Sequence, residues 1–202
     1  MTETASTITS NLSAEDRKIY SVGKPIYGVD VAVWDDQNRP LPPGAGNVGE
    51  IVVRGFNTMR GYHNRPQATA EAFRDGWFLI GDLGYLDHDG FMFIVDRKKD
   101  LINRGGEKVY PKEVEDVLYS HPGVAVAAVL GVPHERLGEE VKAYLALKAG
   151  VLATEEELIA FARARMAPHK YPRVIEFWAS LPELATGKID KKALKAEAHS
   201  GD

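Results

Sequence analysis

The sequence predicts an α+β fold in two parts: a small β-rich subdomain over residues 1–96, then a compact α+β domain over residues 97–202. Three observations carry that expectation. Up to residue 96 the chain breaks into short stretches of strand periodicity divided by turns rich in Gly, Pro, Asn and Asp. After residue 111 the order reads helix, strand, strand, helix, strand, helix, the pattern of a small α+β unit. Between them lies Asp96-Arg-Lys-Lys-Asp-Leu-Ile-Asn-Arg-Gly-Gly-Glu-Lys-Val-Tyr-Pro111. It runs from a charge cluster through a double glycine to a proline, which is the make-up of a joint.

In the first part, residues 5–19 are polar and read as a loop or frayed helix, and Ser21-Val-Gly-Lys-Pro25 reads as a turn. Gly28-Val-Asp-Val-Ala-Val-Trp34 alternates in the strand period, and Asp35-Asp-Gln-Asn-Arg-Pro40 ends it. Pro42-Pro-Gly-Ala-Gly-Asn47 connects to a second strand, Gly49-Glu-Ile-Val-Val-Arg54, and Pro66 to Phe73 reads as a short helix. Trp77–Ile80, Leu83–Leu86 and Phe91–Val95 read as brief strands divided by Gly-Asp and Asp-His-Asp-Gly turns.

In the second part, Pro111 suits the first helical position, where its missing N–H costs nothing. Val114, Val117 and Leu118 fall at i, i+3 and i+4, giving one buried face, and His121-Pro-Gly123 stops the helix. Val124–Val132 and Glu140–Lys148 are apolar enough for central strands. Thr154 with Glu157 predicts a capping box, with Leu158, Phe161, Ala162 and Met166 on the inner side of the helix behind it. Arg173–Trp178 completes the strands, and Asp190–Ala198 is a short terminal helix.

Composition removes several chemistries. With no cysteine there are no disulfides, thiolate nucleophiles or cysteine metal sites. The six histidines, His63, His88, His121, His134, His169 and His199, show no i, i+4 pairing that suggests zinc. Net charge is −4; residues 1–96 carry 8 basic and 13 acidic side chains and residues 97–202 carry 17 and 16, so neither part forms a nucleic-acid tract. The longest apolar run, Val124–Leu130, is too short to span a bilayer, and the N-terminus has no secretion-signal pattern. Asn11-Leu-Ser13 matches a glycosylation acceptor but is discounted without such a signal. A cytoplasmic location is the expectation. Met1-Thr-Glu-Thr-Ala-Ser has neither a cap nor apolar periodicity, so the chain is expected to be the C-terminal piece of a longer protein.

Four places could carry chemistry, each with a plainer reading beside it. Asp82, on a Gly-flanked turn, could accept two hydrogen bonds from a vicinal diol, or could bond its own backbone in an Asx turn. Arg97 could grip phosphate or ribose oxygens with its rigid fork, or belong to a solvated charge cluster with Lys98, Lys99 and Asp100. Gly105-Gly106 could let a narrow ligand pass against bare backbone, or form a two-residue hairpin loop; both readings can hold together. Lys188, in Ala185-Thr-Gly-Lys on a flexible turn, could neutralise charge developing during phosphoryl or acyl transfer, or be one more exposed lysine. It is no P-loop, because the required spacing is absent.

Taken in order, Gly76–Gly84, Asp96–Glu115 and Leu181–Lys188 resemble the adenylate-forming superfamily: acyl-CoA synthetases, peptide-synthetase adenylation domains and luciferases. The resemblance covers nearly the whole chain and makes residues 1–96 the end of a large N-terminal domain. It implies that Thr2 contacts phosphate and Glu3 holds Mg²⁺, as the end of a Tyr-Gly-x-Thr-Glu motif whose Tyr-Gly pair is missing. It implies that Asp82 binds the AMP ribose, that Arg97 contacts the nucleotide, and that Ile94 is a further nucleotide-binding position. Lys99 matches the hinge about which the C-terminal domain rotates. Gly105, Gly106 and Glu107 match the loop lining the pantetheine tunnel, and Lys188 the catalytic lysine of the first half-reaction. Ile80 departs from the pattern, where Thr is more usual, and removes one polar contact.

The function so implied is activation of a carboxylic, fatty-type acid with ATP to acyl-AMP, then transfer to CoA. The partners are then the acid, ATP, Mg²⁺, CoA and the missing N-terminal domain, with no nucleic acid. CoA is favoured because no carrier domain follows Lys188 and no insertion separates Thr2-Glu3 from Gly49-Glu50. An enzyme that loads a carrier protein is the alternative, since Ile102–Lys108 also resembles aryl-acid adenylating enzymes; an isolated non-catalytic fragment is another. Arg104 and Lys170 are the basic candidates for CoA phosphates.

Overall fold

In a computed structural model the described residues are 1–11 and 17–198; residues 12–16 of the polar segment, most of the Asn11-Leu-Ser13 motif and His199 lie outside them. The strand alternation predicted near Trp34 is present as β3. In order, the first strands are β1 (Thr9–Ser10), β2 (Lys24–Pro25), β3 (Val29–Trp34), β4 (Gly49–Gly55), β5 (Phe73–Arg74), β6 (Trp77–Leu86) and β7 (Met92–Arg97), with helix α1 (Pro66–Ala72) before β5. β1 and β2 pair antiparallel, so part of the expected 5–19 loop and of the expected 21–25 turn is strand. The other five make one sheet. β4 takes one edge of β6, while β5 and β7 share its other edge, every pairing antiparallel.

β6 corrects an expectation: Trp77–Ile80 and Leu83–Leu86 are one strand, not two. Gly81 sits at φ +74° inside it, where the pairing with β4 shifts register, while the shift against β7 comes further on, between Leu83 and Gly84. A left-handed glycine absorbs the irregularity as a bulge, where a side-chain-bearing residue would be strained. Val33, Ile51, Val53, Phe78 and Met92 form the apolar core, and Ile80 packs against it.

The second set of elements opens with a hairpin, β8 (Ile102–Arg104) and β9 (Glu107–Val109), then α2 (Pro111–Tyr119). There follow β10 (Val124–His134), β11 (Gly138–Leu147), α3 (Glu155–Arg163), β12 (Val174–Phe177) and α4 (Lys191–Ala198). Pro111 stands at the start of α2, and the Thr154–Glu157 capping box is fully formed. β11 is the spine. β10 pairs antiparallel along one edge; β12 runs parallel on the other, which it shares with the hairpin through Arg104 opposite Gly138.

Strand alternation gives that sheet two buried faces. Val129, Val141, Ala143 and Leu145 pack under Val114, Leu118, Leu158 and Ala162 of α2 and α3. Ala128, Leu130 and Tyr144 face the other way, covered by Leu181, Leu194, Trp178 and Ile189. Leu118 is fully buried, a burial that contributes roughly 1.5–3 kcal/mol. The α+β class is therefore as expected, and the chain divides into two units, Met1–Lys99 and Asp100–Asp202. Among the described residues no helix is long and apolar enough to cross a membrane.

Candidate functional site

Within the first unit, Asp82 and Arg97 are cross-strand partners on β6 and β7. Arg97 Nε lies 3.0 Å from Asp82 Oδ1, with the guanidinium mostly exposed and the carboxylate mostly covered. Neither plainer reading holds: Asp82 pairs across the sheet, and Arg97 is not merely solvated. Burial raises the Asp82 pKa above the ordinary aspartate value; Arg97 opposes the rise, Asp96 adds to it and the Met1 amino group opposes it slightly. Asp82 is thus a largely covered carboxylate whose oxygens can accept hydrogen bonds. Ile94, on β7, is 47% exposed, an apolar surface on the same strand as Arg97.

Thr2 and Glu3 lie in a 3-10 turn, Thr2–Thr4, held from the end of β4. Met59 N–H donates to the Glu3 carbonyl at 2.7 Å, and the Asn57 amide donates to the Thr4 and Thr7 carbonyls at 3.0 and 2.6 Å. Those bonds span Ala5 and Ser6, both at positive φ. Tyr62 Oη donates to Glu3 Oε1 at 3.3 Å. Asn57 Oδ1 and Thr58 Oγ1 are buried without a hydrogen-bond partner. Among the described residues no cluster of three or more His, Asp or Glu could hold a metal by itself. Mg²⁺ commonly takes one or two carboxylates together with substrate phosphates and water, so a lone Glu3 fits that ion.

Lys98, Lys99 and Asp100 form a 3-10 turn after β7. Lys98 Nζ pairs with Glu50 Oε2 at 2.7 Å, and Glu50 on β4 is only 8% exposed. This anchor was missed in the sequence. The available signal was an acid at the head of a largely apolar strand, which needs a cation to reach it.

Within the second unit, Gly105 and Gly106 form the two-residue hairpin loop, at φ +61° and +93°. Gly105 N–H donates to the Leu137 carbonyl at 2.8 Å and Gly106 N–H to Asn103 Oδ1 at 3.0 Å. Glu107 opens β9 and is exposed. Arg104 and Lys170 are not free for a phosphate. Arg104 forks onto Glu140 at 2.5 and 2.8 Å, and Lys170 meets both Glu113 oxygens at 2.8 and 2.7 Å. Burial works to raise the Glu140 pKa, but Arg104 and the Val141 N–H outweigh it and hold it below the usual range.

Lys188 is exposed on a turn that is more ordered than its composition suggests. Leu184 N–H donates to the Lys188 carbonyl at 2.8 Å, Gly187 N–H to Leu184 at 2.9 Å and Asp190 N–H to Pro182 at 2.8 Å. A bridge between Glu183 and Ile189 closes its base. Lys188 pairs with no acid among the described residues, so its ammonium is available to a ligand.

Two family models match the chain: AMP-binding enzyme over residues 1–63 and AMP-binding enzyme C-terminal domain over residues 113–188. A long-chain-fatty-acid–CoA ligase of Bacillus subtilis is 46% identical over 177 residues, 88% of this chain and 31% of the relative. MatB from Rhodopseudomonas palustris, solved with ATP bound, superposes with a TM-score of 0.90 at 38% identity, over 98% of this chain and 39% of that one. O-succinylbenzoate coenzyme A synthetase (MenE) from Bacillus subtilis, solved with ATP and magnesium, gives 0.84 at 40% identity, over 96% and 40%. The chain thus spans between 31% and 40% of the length of these proteins. Matches to both models and agreement in fold at this identity have one reading: the chain belongs to the adenylate-forming enzyme superfamily.

Proposed function

We propose that this chain is the nucleotide-clasping and C-terminal part of an AMP-forming acid–thiol ligase, with a mobile domain from residue 97 onward. The observation that carries the reading is the register of β6 and β7, which sets Asp82 and Arg97 side by side as acceptor and cation. A ribose diol offers Asp82 two hydroxyl donors, and the exposed Arg97 fork suits phosphate or ribose oxygens. Thr2 contacts the phosphates beside it. Glu3 is the protein ligand for Mg²⁺, whose chemistry there is to neutralise phosphate charge.

In the first half-reaction a substrate carboxylate oxygen attacks the α-phosphorus of ATP and pyrophosphate leaves, giving acyl-AMP. Two anions must approach, so the Lys188 ammonium is the group that offsets their repulsion. In the second, the thiol of CoA loses its proton and attacks the acyl carbon, and AMP leaves. The Gly105-Gly106 loop, with Glu107 beside it, offers the thiol arm a stretch of backbone without Cβ atoms. Turning about Lys99 presents these two features in succession. The acid is of the fatty class, by likeness to the long-chain ligase, although the MenE relative is named for succinylbenzoate.

The test is Lys188→Ala in the protein at its full natural length. Acyl-adenylate formation, followed by pyrophosphate exchange, should fall by about 100-fold, as for loss of one charge-stabilising donor. Thioester formation from supplied acyl-adenylate should survive. Equal loss in both steps refutes the assignment. Free CoA assayed against a phosphopantetheinyl carrier protein decides the acceptor.

A further inference from the structure

The edge of the second unit's sheet ties the turn bearing Lys188 to the helix α2. β10 has a neighbour on one side only among the described residues, which leaves the Val129 N–H directed outward from the sheet. Glu115 of α2 covers it: Oε1 accepts that N–H at 2.9 Å. The same oxygen lies 2.7 Å from Lys191 Nζ, with the two side chains 12% and 24% exposed. Lys191 begins α4 and stands three residues past Lys188.

The residues between transmit position. Asp190 Oδ1 accepts the Lys192 and Ala193 N–H groups at 3.0 and 3.1 Å, capping α4, and its own N–H bonds Pro182. Leu181 and Leu194 are buried on either side. The turn is therefore gripped at its base while residues 183–188 are exposed, and the Glu115–Lys191 pair fixes the descending limb along the sheet edge. We propose that Glu115, acting through Lys191, is a positioning residue for Lys188 in acyl-adenylate formation. The proposal rests on the reading that Lys188 serves that step. A displacement on the order of 1 Å at a charge-stabilising group can cost about 100-fold in rate, so a pair that holds the limb has leverage on the step without touching substrate.

The experiment uses Glu115→Gln and Lys191→Met in the protein at its full natural length. Glutamine keeps an oxygen for the Val129 N–H but loses the ion pair; methionine keeps the apolar stem of Lys191 and loses its charge. Each should slow acyl-adenylate formation about 10-fold while thioester formation from supplied acyl-adenylate stays within about twofold. The double variant should be no slower than either single one, because both remove the same contact. In the 202-residue chain, the Leu184 and Gly187 amides, the hydrogen-bonded donors of the turn, should exchange faster with solvent in both variants. Loss of both half-reactions together, loss of neither, additive losses, or unchanged exchange at the turn would overturn the proposal. Should Glu115→Gln fail to fold, Lys191→Met carries the test alone, since its side-chain end is the more exposed. If Lys188→Ala itself leaves acyl-adenylate formation intact, the broader functional reading has failed; if only the Glu115 and Lys191 variants do, the positioning role alone has.

Discussion

At Asp82 a shift of strand register decides what a single carboxylate faces. A one-residue bulge between Leu83 and Gly84 shifts the β6–β7 register, so that Asp82 faces Arg97. In the register of Tyr85 opposite Phe93, continued without the bulge, Asp82 would face Asp96, a like-charge pair. The sequence supplies both residues and their order but not the bulge, which is why each alone admits a plain reading. Asp82 carries a raised pKa caused first by burial. A carboxyl whose folded pKa is raised supports the fold fully below its unfolded value, near 3.8, and loses that support as pH rises through the folded value. Asp82→Asn should therefore flatten the pH dependence of thermal stability across that rise. It should weaken AMP binding by at least about 10-fold, the worth of hydrogen bonds to a charged group. A fall in AMP affinity with unaltered pH dependence of stability would show that burial is not what sets this carboxyl.

At the scale of elements, the hairpin carries a strict backbone requirement, to which the proposed function adds passage of a thiol arm. Both loop residues have positive φ, as a tight hairpin turn of this hand demands, and asparagine is the side-chain-bearing residue found most often at such angles. A Cβ on Gly105 would lie 3.0 Å from Leu137 Cδ2, at the end of a flexible side chain that can yield. Gly105→Asn should thus leave the melting temperature within a few degrees yet slow thioester formation about 10-fold, if the loop passes a thiol arm against bare backbone. Thioester rates equal to those of the unsubstituted protein would leave the two glycines a purely conformational role. Most of the elements were legible because their signals are local: Pro111, the Thr154–Glu157 box, the apolar runs of β10 and β11. β6 was misread as two strands because Gly-Asp marks turns and bulges alike. The pairings of Arg104, Lys170, Glu50 and Glu115 depend on neighbours distant in the chain, and no spacing rule reaches them.

For the molecule as a whole, the link between the units is short and unevenly held. Lys98 is tied to Glu50, whereas no ion pair of Lys99 is seen among the described residues. In the proposed reading, freedom to turn is concentrated at the second of the two lysines. Lys99→Pro, which fixes φ near −65° and removes an N–H, should lower thioester formation about 10-fold or more and leave acyl-adenylate formation within about threefold. Equal effects on both half-reactions would remove the swivel. The second unit also has a consequence for biosynthesis. β12 runs parallel to β11 and must wait for the α3 crossover, and Leu194, wholly enclosed against Leu130 and Tyr144, is added later still. While the ribosome is making α4, that side of the sheet lacks the part of its cover that Leu194 supplies. Chaperones have their opportunity in that interval, and a nascent chain that stalls there offers quality-control proteases a partly bare apolar face.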